Sequence, residues 1–350
     1  MPLVLLRTCL FVFLVLCTSA VAAQSQGFWS ARVPVAGQGE VERAEALPRA
    51  LLEVLVKASG DGSLRSLPEL EAVLAEAPNM VRESRLVAAE SAVGEAAPQL
   101  LLEASFDPAG VATLLRIVGR SVWENRPPSV VWLVIDDGTS KQVATQSQVA
   151  ALGPLTGRAA ERGIPIRLPE FDSTDRSTLD ADVLWIGAPE IIARASARYA
   201  PTALVVRLTR RADGWVARNT LIDGGQAQDW TGTHGDANAA LAGAIDGAAD
   251  RLAVRHAVAP EDLVPGVHRA WVAGVRGARE FAAVAAALAA LPDVNSVRID
   301  GADGERLLVT LDAKVRLARV LRLQTRTPRL VEVEGAAADG ADLVLELHSP

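Results

Sequence analysis

The stretch Ser129-Val130-Val131-Trp132-Leu133-Val134-Ile135-Asp136-Asp137-Gly138 decides how the chain is organised. Ser129 to Ile135 is a nearly continuous apolar run without polar alternation, which predicts a strand covered on both faces. Asp136-Asp137-Gly138 closes it as a turn. Arg126-Pro127-Pro128 stands just before it. Proline disfavours helix in the residue it follows, so the strand opens a new segment after a hinge. Downstream, the spacing predicts a helix over Gln148 to Arg162 ended by Gly163, then strands at Ile164 to Leu168 and Val183 to Ile186. A helix from Ala188 to Tyr199 follows. Strands at Ala203 to Leu208 and Trp215 to Ile222 flank Ala212-Asp213-Gly214, and Gly224-Gly225 turns the chain into Ala227 to Thr233. Ala237 to His256 reads as a long amphipathic helix. The expectation over 129–258 is a mixed α/β domain: alternating units, an antiparallel meander and a covering helix.

Upstream, residues 27–125 read β-α-α-β-β-α. Trp29 to Val35 alternates as a strand, and Ala44, Leu47, Leu51, Val54 and Leu55 recur at helical spacing between Val41 and Ser59, with Gly60 as the stop. A shorter helix is expected over Leu67 to Ala77, ahead of Pro78, and strands at Val81 to Ala88 and Gln99 to Phe106. Asp107-Pro108 supplies an N-cap and a first-turn proline for a helix reaching Val118. After a linker at Pro260 to Pro265, residues 265–349 predict a strand (Gly266 to Val275), a helix (Ala278 to Ala290), strands at Asn295 to Ile299 and Glu305 to Leu311, a helix (Ala313 to Leu323), and strands at Leu330 to Glu334 and Asp342 to His348. Dropping one terminal strand leaves β-α-β-β-α-β, the ferredoxin-like order. The predicted class is therefore multi-domain, α/β and α+β.

The N-terminus predicts export. Arg7 precedes an apolar run from Thr8 to Cys17, and Thr18 to Ala23 is rich in small residues, with cleavage expected after Ala22 or Ala23. The apolar core is short for a spanning helix. Leu14-Val15-Leu16-Cys17 superficially resembles a lipid-attachment site, but bulky Leu16 argues against it. Removal of residues 1–23 takes away Cys9 and Cys17, the two cysteines of the chain, and with them disulfide and thiolate chemistry. It also removes Arg7 from 35 basic residues against 42 acidic ones, leaving a net charge of −8 and arguing against nucleic-acid binding.

No cofactor motif is complete, and no cofactor is expected. The four histidines, His234, His256, His268 and His348, are not spaced three or four apart, and Gly37-Gln38-Gly39 has Glu42 where a dinucleotide loop needs its third glycine. Asp136 and Asp137 end the apolar strand, where α/β folds place ligand sites. Paired carboxylates there suit Mg²⁺ or acid–base work, or simply an Asp-Gly turn. Asp172, Asp175, Asp180 and Asp182 form a second acidic group that also suits helix caps. Seven tryptophans accompany a single tyrosine, and most lie in apolar strands as core. Trp123, beside Glu124-Asn125 and the hinge, is a candidate plug at a domain interface. Arg316, Arg319 and Arg322 share a helical face by their three-residue steps, and Arg207, Arg210, Arg211 and Arg218 surround the first meander turn. Either group can meet anionic lipid head groups or an acidic partner, or merely solvate the surface.

Four stretches carry a family resemblance: Ala50-Leu51-Leu52-Glu53-Val54-Leu55-Val56-Lys57-Ala58-Ser59-Gly60, the hinge and strand from Arg126 to Leu133, Gly163-Ile164-Pro165-Ile166-Arg167-Leu168-Pro169-Glu170-Phe171-Asp172, and Ala195-Ser196-Ala197-Arg198-Tyr199-Ala200 followed by a strand and Gly214-Trp215. Together they resemble the exported bacterial proteins grouped as domain of unknown function 2066, over about residues 28–256. The resemblance implies a periplasmic protein and brings no catalytic residue. The expected function is a non-enzymatic cell-envelope factor binding another protein or an envelope polymer. The alternatives are a metal-assisted hydrolase at the Asp136/Asp172 end of the middle sheet, and a small-ligand binder with an inter-domain crevice.

Overall fold

The computed structural model describes residues 27–89, 99–145, 148–291, 293–322, 324, 329–333 and 340–348. The expected signal, with cleavage at Ala22 or Ala23, lies outside them. Eleven α-helices and three sheets are present among the described residues, in keeping with the α/β and α+β class. None of these helices is long and apolar enough to cross a membrane.

The chain divides into two units, the first made of Met1–Glu124, Gly157–Ile164 and Ala249–Ala257. Its sheet has the order β1-β3-β2, from β1 (Ser30–Pro34), β2 (Val81–Ala88) and β3 (Leu100–Phe106), all antiparallel. Between β1 and β2 runs α1 (Glu40–Ser59). Glu40 and Glu42 stand in its first turn and Lys57 in its last, each matching the helix dipole. Its apolar stripe buries Leu51, Val54 and Leu55 completely, each contributing about 1.5–3 kcal/mol by removal from water. Gly60 ends it in the left-handed region at φ 78°, its N–H donating to the Val56 carbonyl at 2.8 Å.

A correction follows at Leu67 to Ala77. Those residues form no single helix. A 3₁₀ turn at Gly62–Ser66 leads into α2 (Leu70–Leu74) and α3 (Ala77–Met80), and Pro78 sits in the first turn of α3. A first turn needs no proline N–H, so Pro78 begins a helix instead of ending one. The cap expected for α4 (Pro108–Ile117) is present: Asp107 Oδ2 accepts the Gly110 N–H at 2.7 Å.

The second unit is made of Asn125–Thr156, Pro165–Ala248 and Val258–Pro350. Its larger sheet has the order β5-β4-β7-β8-β9, with β6 also on β4. The strands are β4 (Ser129–Asp136), β5 (Lys141–Val143), β6 (Ile166–Arg167), β7 (Thr202–Arg211), β8 (Gly214–Asp223) and β9 (Gln226–His234). β4 runs parallel to β6 and β7, and β7-β8-β9 is the antiparallel meander. The helices are α5 (Val149–Arg162), α6 (Ser173–Thr178), α7 (Ala181–Ile186), α8 (Pro189–Ser196) and α9 (Ala237–His256). α6 to α8 cover one face, where Trp132, Val134 and Val205 pack with Leu179, Leu184 and Ile192. On the other face, Gly243 and Gly247 of α9 let it come close to His234 and Trp230.

Val183 to Ile186, expected as a strand, lies in α7. Asp180 caps that helix by accepting the Val183 N–H at 2.7 Å. A run of four apolar residues carries no period of its own, and the cap decides it.

The ends of α5 and α9 fall in the first unit. There Arg162, almost fully buried, donates from Nη2 to the Gly60 carbonyl at 2.9 Å and to Asp250 Oδ1 at 2.6 Å, and Asp250 Oδ1 also accepts the Gly62 N–H at 3.0 Å.

The five-stranded sheet of the second unit has the order β11-β12-β10-β14-β13. Its strands are β10 (Gly266–Ala273), β11 (Val294–Asp303), β12 (Arg306–Ala313), β13 (Arg329–Glu332) and β14 (Leu343–His348), with α10 (Ala278–Ala289) and α11 (Leu317–Arg322). The ferredoxin-like run is β10-α10-β11-β12-α11-β13. The extra strand β14 inserts between β13 and β10, parallel to β10 and antiparallel to β13. The helix expected from Ala313 starts only at Leu317, because β12 continues to Ala313 in register with Gly266.

Candidate functional site

Asp136 and Asp137 lie where the sequence put them, at the carboxyl end of β4, and they build the turn into β5. Asp136 Oδ1 accepts the Gly138 N–H at 2.9 Å. Asp137 Oδ1 accepts from Thr139 Oγ1 at 2.7 Å and from the Thr139 and Ser140 N–H groups at 2.8 and 2.9 Å. These bonds, the Thr139 hydroxyl first, hold the Asp137 carboxyl down at about 2. A group so acidic is a poor proton acceptor near neutrality. Among the described residues, no group of three or more His, Cys, Asp or Glu side chains is arranged to hold a metal ion.

Asp172 and Asp175 come together on a different partner. Asp172 caps α6 through the Asp175 N–H at 3.0 Å, and its two oxygens take Arg198 Nη1 at 3.1 Å and Nη2 at 2.7 Å. The buried Asp175 accepts the Tyr199 hydroxyl at 2.6 Å and Arg198 Nη1 at 3.4 Å. Tyr199 and Phe171 both meet the Trp132 ring edge-on, at 6.1 and 6.4 Å between centroids, and Trp132 Nε1 donates to Ser196 Oγ at 2.9 Å. The sequence flagged the two aspartates but not Arg198 or Tyr199, whose adjacency in the chain gave no sign of a shared partner.

Two pH predictions follow. The Arg198 bond holds Asp172 at about 2, from 3.8. A depressed carboxylate stabilises the fold above its unfolded pKa and stops doing so as pH falls through the folded one. Urea midpoints of the parent should therefore fall more steeply than those of Asp172→Asn between about pH 4 and 2; parallel curves would contradict this. Burial, and then the bond to Asp175, push Tyr199 up to about 12. Its contribution is fully present below the unfolded value of 10.0 and lost as pH rises through the folded value. Tyr199 is the single tyrosine of the chain, so phenolate absorbance reports it alone. The titration midpoint should lie near 12, and a midpoint near the ordinary tyrosine value would refute the Asp175 contact.

The meander's basic group separates into buried and exposed members. Arg210 and Arg211 are exposed near the turn. Arg207 is buried, Nε donating to the Leu184 carbonyl at 2.7 Å and Nη1 to Thr220 Oγ1 at 2.9 Å, and that hydroxyl donates to Asp229 Oδ1 at 2.5 Å. Burial, then the neighbouring Arg218 charge, push the Arg207 pKa down, while Asp229 opposes them. Arg207 and Arg218 are register partners, and two residues along, on the same face, Asp136 pairs with both Lys141 and Thr209. These rows place Lys141 and Arg218 on the α7 side of the sheet, where both meet Trp185. Lys141 Nζ lies 5.3 Å and Arg218 Cζ 4.7 Å from the indole centroid. Each such contact contributes about 0.5–1 kcal/mol when exposed. Lys141 also pairs with the exposed Asp182 at 3.2 Å, a pair worth little because water screens it. One indole thus holds two cations, with a third, buried, behind them, at the carboxyl ends of parallel strands.

The other candidate residues have different surroundings. Trp123 is fully buried in the first unit, its backbone N–H donating to the Ala58 carbonyl at 2.8 Å, and it packs against Gly60 as core. Arg316, Arg319 and Arg322 do not make one exposed basic face. Arg316 precedes α11 and donates from Nη2 to the Glu261 carbonyl at 3.1 Å, Arg319 is buried, and the Arg322 side chain lies outside the described atoms. The later start of α11 breaks the spacing on which that face depended.

Residues 22–124 match a domain of unknown function, DUF8605. That match covers a minority of the chain, within the first unit's leading stretch. It corrects the resemblance to domain of unknown function 2066: the matching family is a different one, and nothing supports the earlier grouping. The motifs behind it were short apolar helix and strand segments, which unrelated α/β proteins share. No curated protein and no solved structure matches the chain.

Proposed function

We propose that this is a non-enzymatic cell-envelope protein that binds a carboxylate-bearing partner, a protein segment or an envelope polymer, through the Trp185 platform. The observation that carries it is the Trp185 indole with both Lys141 Nζ, at 5.3 Å, and Arg218 Cζ, at 4.7 Å, from its centroid, and the buried Arg207 bonded to the neighbouring Leu184 carbonyl. Guanidinium and ammonium groups at one aromatic plate offer bidentate and point contacts to carboxylates, and the plate offers apolar area beside them. Asp182 already pairs with Lys141 and Asp229 stands near Arg207, so an incoming carboxylate competes with these for the cations. What supports export is the N-terminal pattern around Arg7 and Ala20 to Ala23.

Titration with a poly-glutamate peptide, followed by tryptophan fluorescence at low salt, tests the platform. A saturable change is expected that weakens as salt rises and is abolished in Lys141→Glu/Arg218→Glu. No change in the parent, or an equal change in the double variant, would count against the platform.

A further inference from the structure

A strand at the rim of a sheet carries a row of unpaired backbone groups, and proteins blunt such rims with short strands, charges, proline or bulges. The described outer strands show these devices, most weakly β9, whose one Asp, Glu, Lys or Arg is Asp229. β1 has five residues and ends in Pro34. β2 carries Arg82, Glu83 and Arg85 and a register shift at Val81/Glu83. β11 has two register shifts and carries Arg298 and Asp300. β5 and β13 have three and four residues. β9 is nine residues long, pairs with β8 without a register shift, and contains no Lys, Arg or Pro. Among the described residues, β8 is its one strand neighbour.

Its register states which groups are free. The two-residue Gly224-Gly225 turn makes Asp223 and Gln226 a mutually hydrogen-bonded pair. Alternation then sends the N–H and C=O of Ala227, Asp229, Thr231 and Thr233 to the open side. Their side chains are exposed, while Gln228, Trp230, Gly232 and His234 are half-buried on the α9 face.

We infer that β9 is a self-pairing edge: a second copy of this chain adds its β9 antiparallel about a two-fold axis, joining two six-stranded sheets. The strand's own sequence selects a second copy and its register. Centred on Trp230, Ala227 faces the partner's Thr233 and Asp229 faces the partner's Thr231, so all four outward residues meet outward groups. The Thr hydroxyl can donate to the Asp carboxylate, and Trp230 faces the partner's Trp230 as an aromatic cross-strand pair. Centring on Asp229 sets two carboxylates against each other, which disfavours that register. Centring on Thr231 leaves Ala227 beyond the paired strand. This pairing needs no ligand; on the same face Thr231 stands opposite Arg218 of the Trp185 platform in the register, so dimer mass and poly-glutamate binding are read separately in the Thr231 variants.

Light-scattering mass and hydrogen exchange on the purified protein test it, with Thr231→Lys and Thr231→Pro as variants. Proline on an edge strand removes an outward N–H without touching the β8 ladder. The parent should show twice the monomer mass and both variants the monomer mass, with circular dichroism unchanged. In the parent, the amides of Asp229 and Thr231 should exchange more slowly as concentration rises. A monomeric parent, a Thr231→Lys protein as dimeric as the parent, or concentration-dependent protection on another edge in place of β9 would overturn the inference. Should the proline variant misfold, the lysine variant and the exchange data still decide.

Discussion

Gly60→Val should destabilise the first unit by about 3 kcal/mol or more, from about 1–2 for a side chain forced into left-handed backbone and about 1–3 for overpacking. Gly60 holds φ 78°, and a Cβ there would lie 2.4 Å from Trp123 Cε3 and 2.8 Å from the Ala253 Cβ. Neither neighbour has room to retreat, since Trp123 is fully buried and Ala253 nearly so. The same glycine's carbonyl takes the buried Arg162, so a backbone shift that relieved the clash would disturb that bond as well. Urea unfolding followed by tryptophan fluorescence measures the loss. Because the two mutated sites touch, Gly60→Ala combined with Trp123→Leu should cost less than the sum of the single changes. A Gly60→Val protein as stable as the parent would mean that the glycine and the indole are not in contact.

The second large effect is expected at Arg207. Arg207→Met removes a buried cation and leaves the Leu184 carbonyl and the Thr220–Asp229 pair without their donor, a loss of about 2–4 kcal/mol. It also takes away the fixed charge behind Trp185, so the poly-glutamate response should weaken while Lys141 and Arg218 remain. Arg207→Lys keeps the charge but cannot reach both acceptors with one ammonium group, and should fall between. Equilibrium denaturation of the three proteins checks the order. Equal stability of Arg207→Met and the parent would contradict the burial of a working guanidinium.

Long, periodic or capped elements were legible in the sequence. The helix ending at Gly60, the Asp107-Pro108 start, Ala237–His256 and the two meander hairpins lie within a few residues of where spacing put them, because local chemistry sets them. Short segments were not. Val183 to Ile186 reads equally as strand or helix until the Asp180 cap is seen, and Pro78 reads as a stop until it is placed in a first turn. The insertion of β14 between β13 and β10 is a choice among sheet orders that no local pattern records. Of the platform, only the arginines were legible. Arg207 and Arg218 were grouped by their distance from a turn, which could not show that one is buried and the other exposed. Trp185 was read as strand core, and Lys141 drew no attention. Their meeting depends on β5 pairing with β4 and on α7 crossing above, contacts set by the whole sheet. Asp136 and Asp137 were legible as a turn, and the turn is what they make.

Site-specific photocrosslinking tests the binding account most directly. Ile186, 81% exposed and next to Trp185, is replaced by a photoreactive residue in exporting cells, and adducts are identified by mass spectrometry. The account predicts a discrete adduct with an acidic partner, lost when Lys141→Glu and Arg218→Glu are added to a protein that remains folded. No adduct at Ile186, or the same adduct with both charges reversed, would contradict it.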